Sequence, residues 1–162
     1  MSAEPDIEEL YGAIGFVVSS WAFIEQSLDM CITTVVHIEH YKADDKSHPR
    51  TVARKVRFMR KALNLSRYKR FRRSGTAILD RIANTKDDRN DLVHSVVSDV
   101  VLPKTFRLAS LKIDDVDGWQ LIPGKVLLDL IDFPAQQQKL EVLAMDALQF
   151  SSQFVRAHAA TP

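Results

Sequence analysis

Arg89, Asn90 and His94 fall within one short run, Arg89-Asn90-Asp91-Leu92-Val93-His94. An imidazole changes charge near neutral pH and can take or give a proton in a reaction. A planar guanidinium suits phosphate oxygens. A side-chain amide between them could orient either group. Together these three could grip a phosphate, orient a nucleophile and move a proton. Asp87 and Asp91 are the acids of the same stretch. No other short stretch of the chain combines these residue types.

The element that must position them is a helix expected from about Tyr68 to about Val96. Its apolar stripe is Ile78, Ile82, Thr85, Leu92, Val93 and Val96. Stepping about 100° per residue places Arg89 near the centre of that stripe. His94 falls about 140° away on an ideal helix. Asn90 and His94 are i and i+4 and share a polar face with Asp87 and Asp91. One helix alone therefore does not converge the three groups unless it bends or the arginine wraps round. An arginine on a packed stripe costs several kcal/mol to bury unless paired. Glu25 is the acid expected to pair with it. A structural Arg89–Glu25 ion pair with a solvated His94 is the competing account.

The scaffold begins with residues 6–40. Ile7, Ile14, Trp21, Leu28 and Val35 recur every seven residues, as do Leu10, Val17, Ile24, Cys31 and Ile38. This heptad seam predicts a long helix packed at a shallow angle in a bundle. His40 to His48 is polar and reads as a loop. Pro49 suits the first turn of a second helix. That helix carries Val52, Val56, Met59 and Leu63 on one face, with Arg50, Arg54, Lys55, Arg57, Arg60 and Lys61 on the remaining surface, and ends near Asn64-Leu65-Ser66. Residues 97–131 turn to short β-favouring runs separated by Pro103, Asp117-Gly118 and Pro123-Gly124. A last helix spans about Pro134 to Arg156 and buries Leu140, Leu143, Ala147, Phe150 and Phe154. The expected fold is mainly α: an up-down bundle of about four long helices, with a small β-hairpin or extended excursion before the last. A chain of 162 residues fits one domain, 1–162.

Composition narrows the function classes. The single cysteine, Cys31, excludes an intrachain disulfide and fits a reducing compartment. It is expected to be a small buried hydrophobe. The acidic N-terminus has no signal-peptide pattern. Glu25, Asp29 and Glu39 interrupt the apolar stretches, so no membrane span is expected, and a cytoplasmic location follows. His37 and His40 flank Glu39, but no second ligand cluster supports a metal site. His48 and His158 carry no signal, and Trp119 is expected to be a local packing anchor. Phosphate-loop, dinucleotide, zinc-protease and nucleophile-elbow motifs are absent. No metal or cofactor is expected.

Charge is unevenly spread. Residues 50–73 carry eleven bases and no acid, whereas residues 1–49 carry nine acids and two bases. Such a patch attracts polyanions whatever the net charge. Arg67, Lys69, Arg70, Arg72 and Arg73 interleave with Tyr68 and Phe71, as an RNA-stacking surface does. A solvated face balancing the acidic first helix accounts for the patch equally well.

The run Arg89-Asn90…His94 resembles the Arg-x(4–6)-His motif of the HEPN superfamily. A polar residue directly after the arginine is typical there. The setting is similar too: a long first helix, a basic second one, then a helix ending in the motif. The resemblance implies a metal-independent endoribonuclease acting on RNA, in which two protomers bring both motifs to one cleft. It implies a role for His94 as general base or acid, for Arg89 in stabilising phosphorane charge, and for Asn90 in orienting either. It further implies a homodimer, a toxin or phage-defence setting and a protein antitoxin as possible partner. Some family toxins carry a tyrosine two residues after the histidine, as a target of partner modification; here that position is Val96. Many members are not catalytic, so a non-enzymatic helical dimerisation or interaction module is the alternative.

Overall fold

Asp6 starts the first helix. Its Oδ1 accepts from the Glu9 amide at 3.0 Å, which satisfies one of the free N–H groups of the first turn. Glu8 and Glu9 add negative charge where the helix dipole favours it. Helix α1 then runs Ile7–Glu39. The computed structural model describes residues 6–39, 48–93, 95–114, 118–122 and 127–159. The remaining elements are α2 (Val52–Leu63), a 3-10 turn (Ser66–Tyr68), α3 (Lys69–Val93), β1 (Ser95–Leu102), β2 (Thr105–Asp114), β3 (Gly118–Ile122), β4 (Leu127–Asp129) and α4 (Phe133–Ala159). The chain is mainly α, a helical bundle with a small antiparallel sheet inserted before its last helix.

The chain divides into two compact units, Met1–Ser19 with Asp87–Leu140, and Ser20–Lys86 with Glu141–Pro162. The second is all helical. Trp21, Ile24, Leu28, Cys31, Ile32 and Val35 of α1 are buried in it. They are the heptad seam plus one adjacent position, as the spacing predicts. α1 is long and apolar enough to cross a bilayer by composition alone, yet these side chains line a protein core. Val56, Phe58, Met59, Ala62 and Leu63 of α2, Leu79 and Ile82 of α3, and Leu143, Ala147 and Phe154 of α4 complete that core.

Paired contacts fix helix directions in this unit. Arg60 meets Asp80 and Leu63 lies by Gly75, so α2 and α3 run antiparallel. Arg81 meets Asp146, Gly75 lies by Phe150 and Phe71 meets Phe154 edge-on, so α3 and α4 do too. At Gly75 α3 lies close to side chains of both α2 and α4. A Cβ there would sit 2.6 Å from Leu63 Cδ1 and 2.8 Å from Phe150 Cζ, so only glycine fits without a shift.

Two helix boundaries differ from expectation. Pro49 precedes α2 instead of opening it. Thr51 is the N-cap, in extended conformation, and its hydroxyl accepts from the Arg54 amide at 3.3 Å. A threonine side chain satisfies a free amide that proline cannot. α3 ends at Val93 and not near Val96, which lies in β1. The run of β-branched residues around it favours a strand.

In the first unit, β2 is the central strand. β1 pairs antiparallel with it through a two-residue connection, Pro103-Lys104, between paired Leu102 and Thr105. On the opposite edge β4 pairs with Thr105–Arg107 and β3 with Ser110–Asp114. The excursion is thus a four-stranded sheet. Phe106, Leu108 and Ala109 of β2 are buried, as are Leu10, Ala13 and Val17 of α1 and Leu128, Leu130 and Phe133. The hairpin tip is anchored to the start of α1. The Asp6 amide donates to Pro103 O at 3.2 Å, and Lys104 Nζ meets Glu9 Oε2 at 2.7 Å. β1 is an edge strand with Val97, Val100, Val101 and Leu102 exposed. Its register breaks twice, between Val97 and Asp99 and between Val100 and Leu102. Such bulges blunt an edge against pairing with another chain.

Candidate functional site

The Arg-x4-His run lies at a helix-to-strand junction. Asp87, Arg89, Asn90 and Asp91 occupy the last two turns of α3, which ends one residue before His94; β1 starts one residue after it. Leu92, at 9 % exposure, buries the last turn. The side chains of Asp87, Arg89, Asn90 and Asp91 lie outside the described residues, and so does His94 as a whole. The separation of about 140° between Arg89 and His94 applies only to a helix continued through His94, and α3 stops at Val93.

Glu25, expected as the acid for Arg89, lies against Lys55; the Arg89 side chain is outside the described residues. Lys55 of α2 is turned inward, at 5 % exposure. Its Nζ lies 3.4 Å from Glu25 Oε2 and 2.7 Å from Asp29 Oδ2. Asp29 Oδ1 in turn meets His48 Nε2 at 3.1 Å. One buried ammonium thus answers two carboxylates of α1, and His48, which carried no sequence signal, closes the network. The signal for Lys55 was present. At 100° per residue it falls on the same arc of α2 as Val52, Val56 and Met59.

The expected RNA-binding cluster is partly dismantled. Arg67, Lys69, Arg70, Arg72 and Arg73 are all exposed. Arg72, however, donates from Nε to Leu63 O at 3.0 Å and from its terminal nitrogen to Asn64 O at 2.7 Å. It closes the C-terminal end of α2, where carbonyls lack helical partners. The stacking surface is not formed. Tyr68 is fully buried, its ring 5.1 Å from that of Phe154 and 4.9 Å from that of His158. Phe71 packs on Phe150 and Phe154, and Arg70 covers its ring at 4.7 Å. Large apolar rings in an amphipathic helix are drawn into a core before they serve a ligand. His158, which carried no sequence signal, is packed as well. It lies in α4, its Nδ1 2.7 Å from Phe154 O.

Cys31 is buried, and burial pushes its thiol up to about 12. A thiol that stays protonated is a poor nucleophile, which fits a packing role. His37 is exposed on α1, and His40 lies outside the described residues. Among the described residues no group of three His, Cys, Asp or Glu side chains could hold a metal. Trp119 lies in β3, its side chain outside the described residues. No family model, curated protein or solved structure matches the chain.

Proposed function

We propose that the protein is a HEPN-like endoribonuclease that cleaves RNA without a metal, at a site completed by a second protomer. The observation that supports this reading is the place of the Arg89-Asn90…His94 run, at the end of a long helix in a mainly α chain. His94 takes the proton of the ribose 2′-hydroxyl as that oxygen attacks the adjacent phosphorus. Arg89 stabilises the charge that develops on the phosphorane oxygens. Asn90 orients the imidazole or the phosphate, with Asp87 and Asp91 alongside. The 5′-oxygen leaves with a proton, giving a 2′,3′-cyclic phosphate and a 5′-hydroxyl. DNA lacks the attacking hydroxyl and is left intact. A cytoplasmic toxin or phage-defence role, restrained by a protein antitoxin, follows from the family resemblance alone.

The test is incubation with mixed RNA in EDTA. Wild type should cleave, while Arg89→Ala and His94→Ala should lose activity by at least about a hundredfold, the scale of a general acid–base contribution. Equal cleavage by the variants, or none by wild type, overturns the reading. A strictly monomeric protein removes the two-protomer site.

One observation favours a second reading, a non-catalytic interaction module. Phe23, Met30 and Val36 on α1, and Val142, Met145 and Leu148 on α4, are exposed apolar side chains. Exposed apolar groups in this number suit a helical partner or a second copy. Self-association without any RNA cleavage selects this reading.

A further inference from the structure

We propose that α2 carries a phosphodiester-binding stripe, Arg50, Arg54 and Arg57, that takes the backbone of single-stranded RNA. The inference rests on the RNA reading above and places binding on residues outside the motif and outside the 67–73 cluster.

The structure sorts the cations of residues 50–73 by what they already hold. Lys55 faces inward and is engaged by Glu25 and Asp29. Arg60 meets Asp80 at 2.6 Å. Arg72 is committed to the carbonyls of Leu63 and Asn64, and Arg70 lies over Phe71. Arg50, Arg54 and Arg57 are exposed. Among the described residues no carboxylate or carbonyl accepts from their guanidinium groups. Among the described residues it is Lys55 that meets Glu25 and Asp29 of the first helix, and these three guanidinium groups do not.

Their placement is ordered. Arg54 and Arg57 are i and i+3 and lie on the face of α2 opposite Val52, Val56 and Met59. Arg50 leads into the first turn. Arg54 and Arg57 lie about 4.5 Å apart along the axis at 1.5 Å per residue. The N-terminus of α2 adds to the field, since its first turn holds no acid and the helix dipole is positive there. Planar guanidinium groups take phosphate oxygens in pairs. The described part of this face carries no exposed aromatic ring. Recognition there is by backbone charge, which positions a strand without reading its bases. A strand held this way binds with a steep salt dependence, about 0.7 per neutralised phosphate in the log–log slope.

The experiment is fluorescence anisotropy of a labelled mixed-sequence single-stranded RNA with the full chain, in EDTA, between about 50 and 200 mM salt, the range over which such contacts are lost. Arg50→Ala/Arg54→Ala/Arg57→Ala should lower affinity at least about tenfold at the low-salt end and reduce the slope by about 2, at about 0.7 per contact. Arg50→Lys/Arg54→Lys/Arg57→Lys should keep the slope. Arg60→Ala, whose charge Asp80 already answers, should change it by less than one contact. Circular dichroism checks that each variant is folded. An unchanged slope in the triple alanine variant overturns the proposal, as does absence of RNA binding by wild type. Displacement of the RNA by polyglutamate as readily as by unlabelled RNA also overturns it, by assigning the stripe to acidic proteins. Cleavage of the same RNA is read separately. A lost slope with no cleavage by any protein keeps the stripe and removes the nuclease reading. Cleavage with an unchanged slope does the reverse.

Discussion

Replacing Lys55 by methionine tests whether one buried ammonium holds α2 against α1. The substitution keeps an unbranched stem of similar length and deletes the charge. Glu25 and Asp29 then face the packed side of α2 with no Lys55 cation between them, and as i and i+4 acids they repel by a few tenths of a kcal/mol. Removing one partner of a fully buried pair costs about 3–5 kcal/mol. Here the acids keep 27 % and 40 % of their side-chain surface, so water recovers part of that loss and pulls the value towards the exposed-pair range, below about 1 kcal/mol. The expected cost lies between, about 2 kcal/mol. For a chain of this size that is a fall in Tm of about 4–8 °C. Urea and thermal unfolding followed by far-UV circular dichroism read it directly. The triple variant Lys55→Met/Glu25→Gln/Asp29→Asn also removes the two carboxylate charges that faced Lys55 and should recover at least half of the loss. The reasoning is refuted if Lys55→Met lies within about 0.5 kcal/mol of wild type, the spread of ordinary surface changes. It is refuted equally if the triple variant is no more stable than the single one.

Other outcomes follow from the same structure. Gly75→Ala gains about 1 kcal/mol of helix propensity but forces Leu63 and Phe150 aside at a cost of about 1–3 kcal/mol; a net loss of about 1 kcal/mol is expected in urea titration. Arg72→Ala should cost about 1 kcal/mol, because two charge-assisted bonds to carbonyls are replaced by water, whereas Arg73→Ala should leave stability unchanged within about 0.5 kcal/mol. Cys31 should resist iodoacetamide at pH 8 until denaturant is added. Its thiol is pushed from 9.0 to about 12 in the folded chain, so the unfolded state ionises first. The stability it contributes is intact below pH 9 and declines as pH rises towards 12. Cys31→Val should flatten that alkaline decline; an equally steep limb in the variant would exclude Cys31 as its cause.

The first helix was legible because its seam repeats without interruption, and Trp21, Ile24, Leu28, Cys31 and Val35 are all buried. The last helix was legible for the same reason, with Leu140, Leu143, Ala147 and Phe154 buried. Boundaries were less so. Proline and threonine both mark a helix start, and at residues 49–51 only the cap hydrogen bond distinguishes them. The sheet was visible as β propensity, but its four strands are fixed by pairing between residues far apart, which no local pattern encodes. The destinations of charged side chains were hardest to read. Eleven cations within residues 50–73 look alike in type, and tertiary neighbours decide that Lys55 meets Glu25 and Asp29, Arg60 meets Asp80 and Arg72 closes a helix. Lys55, expected on the outer surface with Arg54 and Arg57, is buried, and helical spacing, which sets it on the arc of Val56 and Met59, is the signal that could have shown it. The motif at residues 89–94 is visible in the sequence as a set of residue types, and α3 ends at Val93 beside it.

Each compact unit is assembled from two stretches of chain separated by the other unit's residues: 1–19 with 87–140, and 20–86 with 141–162. Neither can therefore be produced as a contiguous fragment. During synthesis the start of the first helix must wait for the Pro103-Lys104 hairpin that anchors it, and residues 20–86 must wait for α4. Such distant pairings carry a loop-closure cost before any contact rewards them. Folding should be slower than in a helical bundle of local contacts, and it should complete only after nearly the whole chain has emerged. Cutting the chain between the units is not a usable strategy.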